Sequence, residues 1–344
     1  MAVDAQDLYE RAVAEQQAGR FGSARSLCLR ALRQVRGDRE DSAAILLSLA
    51  EIERARGDER SAERLLLRAL DGLEPRSKDA RRVRLELVLE LAILLRNQAR
   101  YHEALPLVRR ALRHADHDFG KRSREAARTC NEFGILCKYS GRFALGQKLY
   151  KRALATFERL REPAEIATLC HNLGGLEHSH GRFARGEPWA RRSVEVRQKL
   201  LGPDHPDVAA DAAALASILD AQGKHDEAEP LFRKALTIFR KVHGPVHYEL
   251  AVNYNNLAAL EAARGHGREA ESLYQKALAM KEKLLGRRHP DVAVTLNNLA
   301  AHYAQQGDKT RAKRLYRRAV AIFQRALGPR HPDVALCKAN LAKV

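Results

Sequence analysis

The stretch HPDVAVTLNNLAAHYAQQG, residues 289–307, gathers His289, Asp291, Thr295, Asn297 and Asn298 within ten positions. An imidazole beside a carboxylate could move a proton or hold a metal, and paired amides could grip a polar ligand. Whether they do so depends on whether the stretch is singular. It is not. HPDV recurs at 205–208, 289–292 and 331–334, HYEL fills the same slot at 247–250, and NNLA stands at 255–258 and 297–300. The spacing is 42 residues. Self-similarity at a fixed period signals a repeat architecture before it signals a site.

Eight units align on Gly19, Gly57, Ala99, Gly141, Gly181, Gly223, Gly265 and Gly307. Eight residues before the anchor stand Leu49, Leu91, Phe133, Leu173, Leu215, Leu257 and Leu299, each followed by alanine or glycine. Five residues after it stand Ala24, Ala62, Ala104, Gly146, Gly186, Ala228, Ala270 and Ala312. These offsets follow a helical period. Small residues let two helices approach, and larger ones fill the gap to the next pair. The anchor glycine suits a tight turn with positive φ. Each unit therefore reads as helix A, a short turn, helix B and a longer loop.

The loop LGPDHPDVA reads as helix punctuation. Gly202, Gly286 and Gly328 are expected to end helix B in the left-handed region. Pro206, Pro290 and Pro332 suit the first turn of helix A, and Asp207, Asp291 and Asp333 suit its positive end. The loop after the fourth unit, LREPAEIA, lacks the glycine and the histidine. A metal needs three or four ligands converging on one point, whereas these histidines recur one per unit. His171, His178 and His180 are the nearest approach to a cluster, and no cysteine or carboxylate is placed on their helix face to join them. No phosphate loop, nucleophile elbow, zinc-protease or calcium-loop motif occurs. The expectation is a protein that is not an enzyme, with no metal and no cofactor.

This pattern resembles the tetratricopeptide repeat. The 42-residue period with LGPDHPDV, NNLA and EAEPLFRKAL is similar to the kinesin light chain subgroup, as found in bacterial proteins. The resemblance implies an all-α, right-handed α-solenoid (superhelix) of about eight helix-turn-helix repeats. The units are expected at 4–36, 42–74, 82–116, 124–160, 164–202, 206–244, 248–286 and 290–328, with a capping helix at 331–344. It forms a single domain over 1–344 in this reading.

The resemblance also implies that the A helices line a concave groove. Their exposed positions would then lie thirteen, ten, nine, six, three and two residues before each anchor. Those positions supply Asn131, His171, Asn172, Asn255, Asn256, Asn297 and Asn298, with Arg96, Arg128 and Lys138. Asparagine is a mediocre helix former, so adjacent pairs within a helix call for a reason. An amide both donates and accepts, which suits the main chain of an extended peptide. In the kinesin light chain family asparagines of this slot contact peptide ligands, which points to Asn172, Asn256 and Asn298. Ala213 and Ala214 interrupt the series in the sixth unit. The expected function is a non-catalytic scaffold for an extended peptide or protein segment, acidic where it meets Arg96, Arg128 and Lys138.

The net charge of +18 leaves a second function class open. It is uneven: residues 1–80 carry −1, 81–160 carry +10, 161–250 carry −1 and 251–344 carry +10. Eleven residues after each anchor stands a base: Arg30, Arg68, Arg110, Arg152, Arg192, Lys234, Lys276 and Arg318. This row on the B helices could bind nucleic acid or another polyanion. Against it, aromatics are 6% of the chain and none interleaves with the row. A third class is a regulatory module that changes compactness on binding an effector. The five scattered cysteines, Cys28, Cys130, Cys137, Cys170 and Cys337, form no C-x-x-C and read as buried thiols in a reducing compartment. With no basic leader and no apolar span, the expected location is the cytoplasm, without membrane contact.

Overall fold

The computed structural model describes residues 4–35, 38–98, 100–329 and 331–344. The third anchor, Ala99, and the last residue expected in the first unit, Arg36, lie outside the described residues. The described chain forms seventeen helices and no strand. They divide into two compact bodies, Met1–Leu160 and Arg161–Val344.

The first body holds α1 (Ala5–Gln17), α2 (Phe21–Gln34), α3 (Arg39–Ala55), α4 (Glu59–Gly72), α5 (Lys78–Asn97), α6 (Tyr101–Asp118), α7 (Arg124–Tyr139) and α8 (Phe143–Leu160). Odd-numbered helices are A helices and even-numbered ones B helices. The slots read from the period are buried: Leu49, Leu91 and Phe133, with Ala24, Ala62 and Ala104, are each no more than 4% exposed. Gly134 shows why the slot must stay small. A Cβ built there would lie 2.5 Å from the Tyr150 ring of α8.

The second body holds α9 (Pro163–Ser179), α10 (Phe183–Leu201), α11 (Pro206–Ala221), α12 (His225–His243), α13 (Tyr248–Ala263), α14 (Gly267–Leu285), α15 (Pro290–Gln305), α16 (Lys309–Leu327) and α17 (Pro332–Ala342). One apolar core runs through it, including Phe232, Phe239, Leu257, Tyr274 and Phe323, and reaches Cys337 on α17. All five cysteines are free and buried. No helix among the described residues is long and apolar enough to cross a membrane.

The loop histidines are N-caps. Nδ1 of His205, His247, His289 and His331 accepts the amide two residues on, at 3.1, 3.3, 3.1 and 3.3 Å. Each ring satisfies one of the donors that a helix start leaves open. Proline follows at the first helical position in α11, α15 and α17. The glycines that close the B helices depart from expectation. Gly202, Gly286 and Gly328 have φ of 83°, 83° and 86°, but ψ of 161°, 152° and 156°. That is extended backbone with positive φ rather than the left-handed helical region. Each glycine N–H still closes the last turn, on the carbonyls of Gln198, Glu282 and Gln324, and the chain then leaves helix B toward the next N-cap. Side chains with a Cβ are excluded from this region. Gly286→Ala, with open space around its Cβ, is therefore expected to destabilise the second body by about 1–3 kcal/mol through backbone strain alone. Urea denaturation followed by fluorescence of Trp189, the single tryptophan, on α10, reads this; an unchanged midpoint contradicts it.

Candidate functional site: the A-helix faces

In the second body the asparagines form a connected series across successive A helices. Asn340 Nδ2 on α17 donates to Asn297 Oδ1 on α15 at 3.3 Å. Asn297 Nδ2 donates to Asn298 Oδ1 at 3.4 Å, and Asn298 Nδ2 reaches Asn255 Oδ1 on α13 at 3.4 Å. Asn255 Nδ2 donates to Asn256 Oδ1 at 3.2 Å, and Asn256 Nδ2 ends the series on Ser217 Oγ of α11 at 3.3 Å. Neighbouring A helices present the same slot one period apart, so the adjacent pairs are in register to bridge layers. The bonds are long, near the outer limit for N–H···O, and individually weak. Each linking amide uses one N–H and one lone pair in the series, of the two of each that an amide carries.

The placements differ within each pair. Asn256, Asn297 and Asn298 are half-buried, as are His171 and Asn172. Asn255, expected on the exposed face, is 5% exposed. The correction has a geometric cause: its amide is wedged between Asn256 and Asn298, where it orients both. Ala213 and Ala214 do interrupt the series, and Asn256 finds Ser217 in their place.

His171 on α9 has a partner that its own helix could not supply. Its Nδ1 lies 2.8 Å from Asp211 Oδ1 of α11, and Asp211 Oδ2 accepts from Arg197 Nε of α10 at 2.7 Å. The Asp211 side chain is 3% exposed and that of Arg197 13%. Burial alone would raise the Asp211 pKa, but His171, Ser193 and Arg197 outweigh it and hold the carboxyl below its usual value. The second ring nitrogen of His171 has no hydrogen bond among the described residues.

In the first body the Gln16 amide of α1 donates to Glu51 of α3 at 2.9 Å, and ion pairs join α3, α5 and α7. Arg54 on α3 pairs with Glu90 on α5 at 3.4 Å, Arg96 on α5 with Glu132 on α7 at 3.1 Å, and Arg128 on α7 with Glu86 on α5 at 3.3 Å. Asn131 donates to Glu132 Oε1 at 3.4 Å. Burial raises the Glu90 and Glu132 carboxyls and lowers the Lys138 amine. Two of the three cations expected to attract acidic groups therefore already hold carboxylates. Reading the cations of this face without its acids missed Glu86, Glu90 and Glu132. The signal was present: nine residues before the anchors stand Glu90, Glu132, Asn172, Asn256 and Asn298, and one period on Asn340.

On the B helices, Arg152 pairs with Asp116, Arg318 with Glu282, and Lys234 with Asp204 at 3.9 Å. Arg30, Arg68, Arg110 and Lys276 are exposed, and Arg192 is half-buried. Among the described residues one trio has ligand atoms close enough to share an ion: Glu261, His266 and Glu269. The Arg233 guanidinium sits between its carboxylates, 3.2 Å from Glu261 and 3.0 Å from Glu269, and His266 Nδ1 is 2.6 Å from Glu261. The trio is a salt-bridge network joining α12, α13 and α14.

The tetratricopeptide repeat family model matches residues 84–159, 165–241, 211–283, 249–325 and 291–344. No curated protein matches the chain. Among solved structures it is similar to a Rap protein complexed with competence and sporulation factor, at 10% identity over 98% of this chain and 99% of that one, TM-score 0.65. It is similar to the Rap conjugation gene regulator of the plasmid pLS20, solved with the Phr* peptide, at 16% identity over 85% of this chain and 78% of that one, TM-score 0.63. It is also similar to BtubC (BKLC) from P. vanneervenii, at 25% identity over 69% of this chain and 93% of that one, TM-score 0.49. The two Rap likenesses are likenesses of fold.

Proposed function

The chain belongs to the tetratricopeptide repeat family, and from that premise we propose that it is a non-catalytic scaffold that holds an extended peptide segment on its A-helix faces. The supporting observation is the linked amide series from Asn340 to Ser217. A peptide main chain offers one donor and one acceptor per residue. The half-buried amides of Asn172, Asn256 and Asn298 supply the complement, with Asn255 and Asn297 orienting the latter two. Because the linking bonds are weak, exchanging one for a ligand bond costs little. The Phr* peptide of the pLS20 regulator is the kind of ligand this proposal assigns.

Acidic side chains are proposed to be selected on the first body's face by Arg96, Arg128 and Lys138, with Asn131 beside them. There a ligand carboxylate competes with Glu132 and Glu86, so this element adds selectivity more than affinity. Polyanion binding by the B-helix row has less support, because Arg152, Arg318 and Lys234 each already meet an acid. A salt titration separates the readings. A peptide selected on the intact chain from a random displayed library is expected to lose less than about tenfold in affinity between 50 and 200 mM salt. A polyanion neutralising six to ten phosphates' worth of charge loses about 10³-fold or more over that range. A loss of that size for the peptide, or recovery of nucleic acid as the tighter ligand, contradicts the proposal.

A further inference from the structure

The first body contains a cleft that the peptide-binding reading does not use. It has a volume of 540 Å³ and lies between the loop after α4, at Pro75, the first half of α5 and the second half of α6 with Phe119 beyond it. That is within the range of about 300–1,000 Å³ that holds small molecules. Its floor is apolar: Leu85, Val88, Leu107, Ala111, Ala115 and Phe119. Leu85, Ala111 and Ala115 belong to a small core cluster, and Val88 and Phe119 pack against it only partly buried. Arg82 lies over the Phe119 ring at 5.7 Å from its centroid and fixes that wall.

The rim is basic. Arg81, Arg84, Arg110, His114 and His117 line it, against one acid, Asp118. Two of these groups are engaged. Arg84 Nη1 donates to the carbonyls of Leu70 and Leu73 at 3.3 and 3.1 Å, and His117 Nδ1 is 2.8 Å from Asp118. Arg81 is not. Its Nε is buried without a hydrogen-bond partner among the described residues. Arg81 is half-buried and lines the cleft, so its guanidinium offers charge-assisted hydrogen bonds to an anion there. Arg110, exposed at the rim, adds a second charge.

We propose that this cleft binds a small amphipathic anion, with an apolar tail on the Leu85, Val88, Leu107 and Phe119 floor and a carboxylate or phosphate head at Arg81 and Arg110. The apolar floor without charge would take a neutral tail as readily; the unpartnered guanidinium is what selects the anion. This site shares no residue with the A-helix face, so either reading can fail alone.

The test titrates the intact chain with dodecanoate, dodecyl phosphate and dodecanol, each below its aggregation concentration, by calorimetry or by displacement of a fluorescent fatty acid. Both anions are expected to bind at one site per chain, and the alcohol about tenfold more weakly, as follows from losing one charge-assisted hydrogen bond. The tighter of the two anions identifies the head group. Arg81→Gln is expected to weaken the anions about tenfold and leave the alcohol unchanged. Val88→Trp fills the cleft and weakens all three. If that variant does not fold, Arg81→Gln still decides, because Arg81 holds no partner whose loss would unfold the body. Alcohol binding as tight as anion binding, an Arg81→Gln affinity within twofold of the parent, or absence of a saturable site overturns the proposal.

Discussion

Asp211→Ala is expected to destabilise the second body by about 3–5 kcal/mol, the cost of leaving one member of a buried ion pair without the other. Asp211 holds both Arg197 and His171, and the Arg197 side chain is 13% exposed, so its charge has little recourse to water. The repeat itself supplies the control. Sixteen residues after other anchors stand Phe157, Phe239 and Phe323, and twelve before the preceding anchor stands Leu169, all buried. The double variant Arg197→Phe with Asp211→Leu restores that apolar pattern. It is expected to equal or exceed the parent in stability, since buried pairs rarely outperform packed hydrocarbon. Trp189 fluorescence in urea reads both variants. A single variant within about 1 kcal/mol of the parent, or a double variant as unstable as the single one, refutes the assignment. The pH dependence has a definite sign. A carboxyl with a depressed pKa in the fold contributes stability that is present above its unfolded value near about 4 and is lost as pH falls through the folded one. The parent should therefore lose stability below about pH 4 more steeply than the double variant.

Replacing Asn172, Asn256 and Asn298 together by alanine is expected to lower affinity for the selected peptide by about 100-fold or more. Each lost amide removes on the order of 1 kcal/mol of hydrogen bonding, and three act together. Stability should change little. The linking bonds to Asn255, Asn297 and Ser217 run at 3.2–3.4 Å, and alanine is the better helix former, by up to about 0.7 kcal/mol per residue. Loss of binding with an unchanged urea midpoint supports the proposal; unchanged affinity removes it.

How much of this was legible in the sequence follows from where each signal resides. The anchor glycines and the small-residue slots lie within one unit, so a single period exposes them. Leu257, Ala258 and Ala270 are at most 1% exposed, where the offsets put them. The partners of those slots across layers were harder to read. Asp211 reaches His171 from 40 residues away, and Glu132 reaches Arg96 from 36. A face read one helix at a time shows cations without their acids. Arg197 and Asp211 could have been suspected together, because both are charged in slots that hold Phe157 and Leu169 one unit earlier, although Lys281, Thr129, Asn253 and Thr295 keep either slot from being uniformly apolar. The histidine caps were legible as punctuation but not as acceptors, since the role depends on the rotamer of Nδ1. The division at Arg161 coincides with the loop that lacks glycine and histidine. There Arg161 itself takes a positive φ of 58°, which a glycine would adopt without strain.

The central claim is that the A-helix amides of the second body meet a ligand's main chain. Side-chain amide NMR of the ¹⁵N-labelled intact chain, with and without the selected peptide, tests it most directly. The account predicts that the Nδ2 resonances of Asn172, Asn256 and Asn298 shift and exchange more slowly with water on binding, while the Nε2 resonance of exposed Gln275 on the B helix α14 stays in place. Saturating peptide that leaves all three resonances unmoved would contradict it.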